Sequence, residues 1–443
     1  MNTTHLTSGN IRGQFIALAA PLLMGNILQQ LYNTIDAVIV GQYVGQNAFA
    51  AVGVAGSVMN LFLFLINGGC AGVGVMLSQF YGADDLPAFR RGFFLSAVAG
   101  ALFTLLLTGT ALLSLLPLLR VMQTPAEVIP YGAEYLRTIY LGFLSAFAFH
   151  VSSAVLRCVG DTRSALLFLL ISMAVNLSLD LWFIAGLGMG VSGAALATVL
   201  AQGLAALLCA GYLALRHPQL LFRPRDMRFD APLLRRTARF SLVSAMQMCS
   251  LYVGKLLVQG TVNSLGTDAI AAYTAATRIE GFANSFGDSG ATSMSIFIGQ
   301  NTGAKNHDRV RQGFVTGEKL LAALGLIMSL VMIVFAVPAL KLVLPTDSAS
   351  GMSHAVGYLR LVACFYLFNF LGSSLSGYFH GRGRVNLPVM GTTLHISMRV
   401  ALSFFLAPRL GLEAVALATG IGWICVVSFW TVFRRNDFRR LAQ

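Results

Sequence analysis

Long apolar runs, separated by short polar segments, occupy almost the whole of this 443-residue chain. A helix needs about 20 apolar residues to cross the hydrocarbon core of a bilayer, and each run reaches that length. A helix also satisfies its backbone hydrogen bonds within one segment, as a spanning segment must. The pattern predicts an all-α polytopic membrane protein with twelve transmembrane helices, near residues 14–40, 49–79, 92–116, 134–155, 165–185, 190–214, 240–264, 269–299, 314–337, 355–378, 386–407 and 411–433.

The apolar pattern occurs twice along the chain. The segment VGQNAFAAVGVAG (Val44–Gly56) aligns without gaps to LGTDAIAAYTAAT (Leu265–Thr277), so position 44 corresponds to position 265 at a sequence offset of 221. The same offset relates GVSGAALAT, which starts at Gly190, to GLEAVALAT, which starts at Gly411. One constant offset predicts two pseudo-symmetric six-helix bundles that enter the membrane in the same direction, a parallel repeat of the kind that transporters use. The expected division is an N-terminal bundle over 1–214, a cytoplasmic linker over 215–236 and a C-terminal bundle over 237–443.

Composition and charge agree with a membrane protein. The chain is 56% hydrophobic and 11% charged, against about 25% charged residues in a soluble domain. The net charge of +13 could indicate nucleic-acid binding, but most of the 30 Lys and Arg residues lie in loops on one side if the N-terminus is cytoplasmic. This is the positive-inside bias, so we expect a multi-pass protein of the cytoplasmic (inner) membrane with both termini in the cytoplasm and no nucleic-acid partner. The polar start MNTTHLTSGNIRGQ leads into a full-length span, so no cleavable signal peptide is expected.

Acidic and amide residues occur inside the predicted spans of the first half. Asp36 lies inside the first span, more than a turn from either expected helix end, and a carboxylate in mid-membrane costs roughly 2.5–3.5 kcal/mol on insertion scales. Asn33 shares its helix face, Asn176 and Asp180 share a face of the fifth span, and Thr198 lies in the sixth. If these faces converge, the two carboxylates could hold one proton between them, since burial and repulsion disfavour two charges. They could equally ligate Na⁺ through oxygen donors, and the sequence leaves both ions open.

The second half has a polar set of its own. Lys255, Glu280 and Arg399 have no charged counterpart at the repeat offset, so they are candidates for function rather than architecture. Glu280 could contact a cationic substrate or take part in coupling, whereas a buried ion pair with Lys255 or Arg399 is the structural alternative. In the first span, Pro21 removes a helical hydrogen bond and predicts a bend in the helix that carries Asp36. Histidines and cysteines are scattered, so we expect no metal centre and no cofactor.

The chain resembles the multidrug and toxic compound extrusion (MATE) transporters in the segments PLLMGNILQQLYNTIDAVIVGQYVG, QFYGA, GQNTGA, NLSLDLWF and GVSGAALAT. The resemblance covers nearly the whole chain. It implies a central cleft that opens alternately to the two sides, and export of organic cations against H⁺ or Na⁺. It places the cation site of the family on Asp36, Asn176, Asp180 and Thr198, and the bending first helix at Pro21. We therefore expect a monomeric drug antiporter in the lipid bilayer, with a small organic cation as substrate.

Two other functions stay open at this point. A flippase for a lipid-linked saccharide would line its cavity with several arginines facing a pyrophosphate, whereas most arginines here lie in cytoplasmic loops. A channel or sensory membrane protein, a different class, would give conductance rather than saturable, gradient-coupled flux. An enzyme is not expected, because no nucleophile–base pair or metal motif occurs.

Overall fold

The computed structural model describes residues 6–122, 124–343 and 349–441. Within them, fifteen α-helices form the structure and no β-strand occurs. In chain order the helices are α1 (Ile11–Tyr43), α2 (Gln46–Gly82), α3 (Leu86–Val121), α4 (Ile129–Leu141), α5 (Phe143–Cys158), α6 (Thr162–Asp180), α7 (Gly190–Arg216), α8 (Ala231–Asn263), α9 (Thr267–Gly303), α10 (His307–Val334), α11 (Ala336–Lys341), α12 (Ala349–Ala363), α13 (Tyr366–Gly381), α14 (Asn386–Leu410) and α15 (Glu413–Leu441). A π-helical turn, Leu181–Gly186, extends α6.

Twelve membrane spans account for all of these helices except the short α11. Of the helices in the described ranges, nine are long and apolar enough to cross a membrane alone. Two bent pairs each add a span: α4 meets α5 at 48°, and α12 meets α13 at 51°. The twelfth is α9, which has 37 residues but is less apolar because it is rich in serine and glycine and carries charged side chains. The predicted twelve-helix fold is confirmed.

The fourth span differs in detail from its prediction as one continuous helix. It is broken at Gly142, between α4 and α5. A Cβ atom on Gly142 would collide with the side chain of Val199 on α7. The glycine therefore permits the close approach of α7, which packs against both α4 and α5.

The two halves share backbone details at the same offset as the sequence repeat. Three pairs of positions that the repeat makes equivalent adopt positive φ angles, a conformation that glycine favours. The pairs are Gly45 (109°) with Gly266 (97°), Gly190 (63°) with Gly411 (58°), and Asp84 with Lys305 (both 54°). The helices α3 and α10 begin alike, since the side chains of Asp85 and Asn306 each accept a hydrogen bond from the backbone N–H three residues on. The two six-helix halves are thus equivalent folds, as predicted.

Packing divides the chain into two compact units, whose boundaries differ from those of the two halves of the repeat. One unit contains Met24–Ala245, and the other contains Leu6–Leu23 together with Met246–Gln443. The start of α1 therefore packs within the second unit, and the start of α8 packs within the first. The helix α1 continues without interruption through Pro21 and changes unit just after it. The boundaries expected from the repeat, 1–214, 215–236 and 237–443, stay a prediction.

Two glutamines at equivalent positions of the repeat bind the segment before α1 and the start of α8. In the second unit, the backbone N–H of Leu6 donates to Gln300 Oε1 at 3.0 Å, and Arg309 Nε donates to the carbonyl oxygen of Leu6 at 2.8 Å. In the first unit, Arg236 at the start of α8 donates to Gln79 Oε1 at 2.8 Å. Gln79 and Gln300 are equivalent positions of the repeat, so the repeat supplies the same acceptor twice.

A buried ionic cluster fixes the end of α15 in the second unit. Asp437 is fully buried, and its carboxylate accepts from the Tyr378 hydroxyl at 2.5 Å and from Arg382 Nε at 3.0 Å. Its other oxygen lies 2.6 Å from Arg384 Nη2. The cluster joins α13, the turn that follows it, and α15.

Candidate functional site

Hydrogen bonds join three helices of the first unit at one point. The Tyr32 hydroxyl on α1 donates to Asn176 Oδ1 on α6. The side-chain amide of Asn176 donates to Thr198 Oγ1 on α7 at 3.3 Å, and the Thr198 hydroxyl bonds back to the carbonyl oxygen of Ala194 at 3.1 Å. Asn176 is buried, and its amide is held from both sides. This network fixes the relative positions of α1, α6 and α7.

Two carboxyl groups lie one helical turn beyond this network. Asp36 follows Tyr32 by four residues on α1, and Asp180 follows Asn176 by four residues on α6. Asp180 is fully buried, Asp36 is partly buried, and their carboxyl groups interact electrostatically. No N–H or O–H donor among the described side chains bonds to Asp36 Oδ1 or to either oxygen of Asp180.

The carboxyl pair therefore lacks hydrogen-bond donors from the described side chains for three of its oxygens. Ionised carboxylates are acceptors only, so two of them cannot satisfy one another. A proton on one carboxyl group would let it donate to the other, and a small cation between them would accept both as ligands. The arrangement can bind and release one positive charge in a site closed to bulk water on the Asp180 side.

Two tyrosines complete the surroundings of the pair. Tyr32 and the buried Tyr135 of α4 both interact electrostatically with Asp36 and Asp180. Neither tyrosine was expected from the sequence. The sequence could have indicated both, because each has a valine at the equivalent position of the second half. Tyr32 also lies one helical turn before Asp36. The two acids and the two tyrosines thus share one property: each differs in type from the residue at the equivalent position of the second half.

The helix that carries Asp180 changes form at this residue. The α-helical pattern of α6 ends at Asp180 and passes into the π-helical turn Leu181–Gly186. Short π-helical segments inside α-helices are rare and occur frequently at functional sites. The change in helical geometry therefore lies directly beside the carboxyl pair.

The structure brings together four of the residues singled out in the sequence: Asp36, Asn176, Asp180 and Thr198. The side chain of Asn33 lies outside the described residues. Pro21 lies about four turns before Asp36 within the continuous helix α1.

A second polar cluster lies within the second unit. Glu280 of α9 is buried, and its carboxyl group interacts with Arg399 of α14, with the phenol of Tyr358, and with Lys255. Arg399 Nη2 donates to the Tyr273 hydroxyl at 3.1 Å, and the rings of Tyr273 and Tyr358 meet edge-on with centroids 5.5 Å apart. Within the described residues (6–122, 124–343 and 349–441), no lysine, arginine or histidine forms an ion pair with Glu280 within 4.0 Å. The guanidinium group of Arg399 thus bonds to a phenol, and Lys255 is exposed.

Metal ligands do not gather at either cluster. In the described part of the chain, no group of three or more His, Cys, Asp and Glu side chains could hold a metal ion. A monovalent cation, which accepts carboxylate, amide and hydroxyl oxygens, is compatible with Asp36, Asp180 and their neighbours.

Known proteins match this chain over most of its length. The family model MatE matches twice, at residues 21–182 and 244–405. The probable multidrug resistance protein YpnP of Bacillus subtilis is 26% identical over 434 residues, which cover 96% of this chain and 95% of that protein. The FAD transporter of Shewanella oneidensis is 25% identical over 347 residues, which cover 76% of this chain and 75% of that protein. A solved MOP superfamily transporter from Pyrococcus furiosus, described as having a binding pocket of reverse polarity, shares the fold with a TM-score of 0.93 at 23% identity, over 100% of this chain and 99% of the other.

Proposed function

Because this chain belongs to the MatE family, whose members are membrane transporters and not enzymes, we propose that it is a secondary active antiporter. In this proposal it exports organic cations or drugs across the cytoplasmic membrane in exchange for H⁺ or Na⁺, by alternating access. The observation that carries the proposal is the Asp36–Asp180 pair, whose buried oxygens lack donors among the described side chains. A site of this kind is costly to build for stability alone, and it gains its missing partner whenever it takes up a cation.

The coupling follows from the charge of this pair. A cation that enters from outside neutralises one carboxylate and removes the repulsion between Asp36 and Asp180. The helix α1 then rearranges around Tyr32 and Asn176, which hold it to α6. The affinity for the substrate falls, the substrate leaves outward, and release of the cation to the cytoplasm restores the charged pair. Pro21 supplies the flexibility of α1, because it removes one hydrogen bond of that helix.

The available driving force is sufficient. One charge moving down 100 mV releases about 2.3 kcal/mol, and one pH unit adds about 1.4 kcal/mol. Together they support export against a gradient of roughly a hundredfold or more, unless the charge of the substrate cancels the electrical part. We favour H⁺ over Na⁺ because two adjacent buried acids are suited to share a proton. Asn176, Thr198 and the carboxylates supply the oxygens that Na⁺ would need.

The deciding experiment uses purified protein in proteoliposomes, with ethidium or a similar fluorescent cation supplied in the external medium. A pH gradient and a Na⁺ gradient are imposed separately on wild type, Asp36→Asn and Asp180→Asn. The matched control is Asp308→Asn, the same change on an exposed carboxylate at the start of α10. We expect one gradient to drive accumulation, the two site variants to lose it, and the control to retain it. Accumulation by Asp36→Asn at the wild-type rate would refute the mechanism.

A second candidate function is export of an anion. The second unit offers the basic groups Arg399 and Lys255 beside Glu280, and the relative from Shewanella oneidensis is named an FAD transporter. The same proteoliposomes, supplied with FAD instead of ethidium, separate the two cargo classes. A flippase for a lipid-linked saccharide would transport neither compound, and a channel would pass current without a gradient-coupled, saturable flux.

The orientation and assembly are part of the proposal. The positive-inside bias supports cytoplasmic termini and a cytoplasmic linker between α7 and α8. Each chain carries its own carboxyl pair within one unit, so we propose that the monomer is the transporting form.

A further inference from the structure

The segment between α7 and α8 is folded onto the first unit. Arg90 Nε on α3 donates to the carbonyl oxygen of Gln219 at 2.7 Å. Leu220 is fully buried, and the ring of Phe222 lies edge-on to Phe93 and Phe94, with centroids 5.4 Å apart in each case. This segment is therefore an ordered surface of the unit rather than a free tether.

Both acidic residues of the segment are engaged in local contacts. Asp226 is buried, and its carboxylate accepts a hydrogen bond from the backbone N–H of Arg223 at 3.0 Å. Asp230 accepts from the backbone N–H of Leu233 at 3.0 Å, and its other oxygen lies 3.6 Å from Arg91 Nη1. The carboxylates of the segment are thus paired with groups of the same unit.

A set of exposed residues in the segment and at the adjoining helix ends is basic or apolar. We call this set the linker surface, defined by Arg216, Arg225, Met227, Arg228, Phe229 and Arg235. All four of its arginines are exposed, and no carboxylate of the described residues lies within 4.0 Å of their guanidinium groups. Phe229 is 78% exposed and Met227 is 47% exposed. Exposed aromatic and apolar side chains among several arginines are typical of segments that lie in a membrane interface.

The chain confines this surface to the edge of the bilayer. The spanning helix α7 ends at Arg216, and the spanning helix α8 begins at Ala231, so both ends of the segment emerge from the membrane. Guanidinium groups bind phosphate oxygens in pairs of hydrogen bonds, and each basic residue near an anionic membrane contributes about 1 kcal/mol, or about fivefold in binding.

We propose that the linker surface binds anionic phospholipid headgroups of the leaflet that it faces. The arginines contact the phosphates, and Phe229 with Met227 enters the boundary between headgroups and acyl chains. The site is separate from the carboxyl pair, and it needs no particular transported substrate. Its test therefore reads lipid binding and not transport, so that it can fail while the antiporter proposal stands.

The test compares two variants with the same loss of charge. The linker variant is R216Q/R225Q/R228Q/R235Q, and the control variant is R12Q/R435Q/R439Q/R440Q, which changes four exposed arginines elsewhere. Purified full-length proteins are titrated with phosphatidylglycerol or phosphatidylcholine in mixed micelles, and bound lipid is counted by mass spectrometry. We expect the linker variant to bind phosphatidylglycerol at least about tenfold more weakly, with a smaller loss in the control and no change for phosphatidylcholine.

A second readout reports contact directly. In nanodiscs with brominated phosphatidylglycerol, the additional emission of Phe229→Trp over wild type should be quenched, and less so when the four linker arginines are also replaced. Unchanged phosphatidylglycerol binding, an equal loss in both variants, or an unquenched tryptophan would each overturn the proposal. So would RNA that copurifies with wild type and is lost only from the linker variant, because it would identify a nucleic acid as the occupant.

Discussion

Replacing Asp180 by asparagine should stabilise the protein while it abolishes coupled transport. The carboxylate of Asp180 is fully buried, and neither of its oxygens receives a hydrogen bond from the other described side chains, while Asp36 faces it. Asparagine keeps the size of the side chain and supplies an N–H₂ group that can donate to Asp36. A side chain that the transport cycle requires would thus be unfavourable for folding, as is common at functional sites.

The magnitude follows from the contacts that change. A hydrogen bond to a charged acceptor contributes about 1.5–3 kcal/mol, and the substitution also removes the repulsion within the pair. For a domain of about 150–250 residues, 1 kcal/mol shifts the melting temperature by about 2–4 °C. We therefore expect Asp180→Asn to melt about 3–12 °C above wild type at pH 9, where the wild-type pair carries the most charge.

Melting in detergent, followed by the fluorescence of a thiol-reactive dye or by light scattering, measures this shift. Asp308→Asn is the control, since it removes an exposed carboxylate and should move the melting temperature by less than about 1–2 °C. A melting temperature of Asp180→Asn at or below that of wild type at pH 9 would refute the reasoning, because it would show that the carboxylate is well satisfied in the folded protein.

Three other substitutions test different parts of the structure. Asp437→Ala should destabilise the protein by about 3–5 kcal/mol, because it leaves two arginines beside a cavity without their acid, and thermal unfolding measures the loss. Gly72→Ala should cost about 1–3 kcal/mol or more in the same assay, since the new methyl group would collide with the backbone of Phe240. Tyr32→Phe should keep the fold but slow gradient-driven efflux by about tenfold or more, because the Asn176 oxygen loses its donor.

Each of these predictions has a contrasting variant or outcome. Gly53→Ala lies in the same helix as Gly72, and among the described residues no atom beyond the adjoining backbone of that helix lies within 4 Å of the new methyl group, so the change should be neutral or stabilising. Glu318→Gln, in a half-buried pair with Arg434 at 3.3 Å, should cost much less than Asp437→Ala. Wild-type efflux by Tyr32→Phe would show that the hydroxyl does not organise the site.

The sequence by itself determined the architecture of this protein. The length and apolar content of each run are local properties, so the twelve spans follow from the cost of exposing a polar backbone to lipid. The constant offset of the repeat predicted equivalent halves, and the paired positive φ angles at Gly45 and Gly266 repeat it in the backbone. Helical spacing also put Asp36, Asn176 and Asp180 on defined faces, because residues three or four apart always share a face.

Only the tertiary structure decided how those faces meet. Spacing within one helix does not say which neighbour it packs against, so the contact of Tyr32 with Asn176 and the approach of Tyr135 to the acids depend on long-range packing. The same holds for Arg399, which bonds to Tyr273 where the sequence allowed a direct ion pair with Glu280. Local periodicity fixes the direction of a side chain on its helix, whereas the partner it finds is set by the close packing of helices that are distant in sequence.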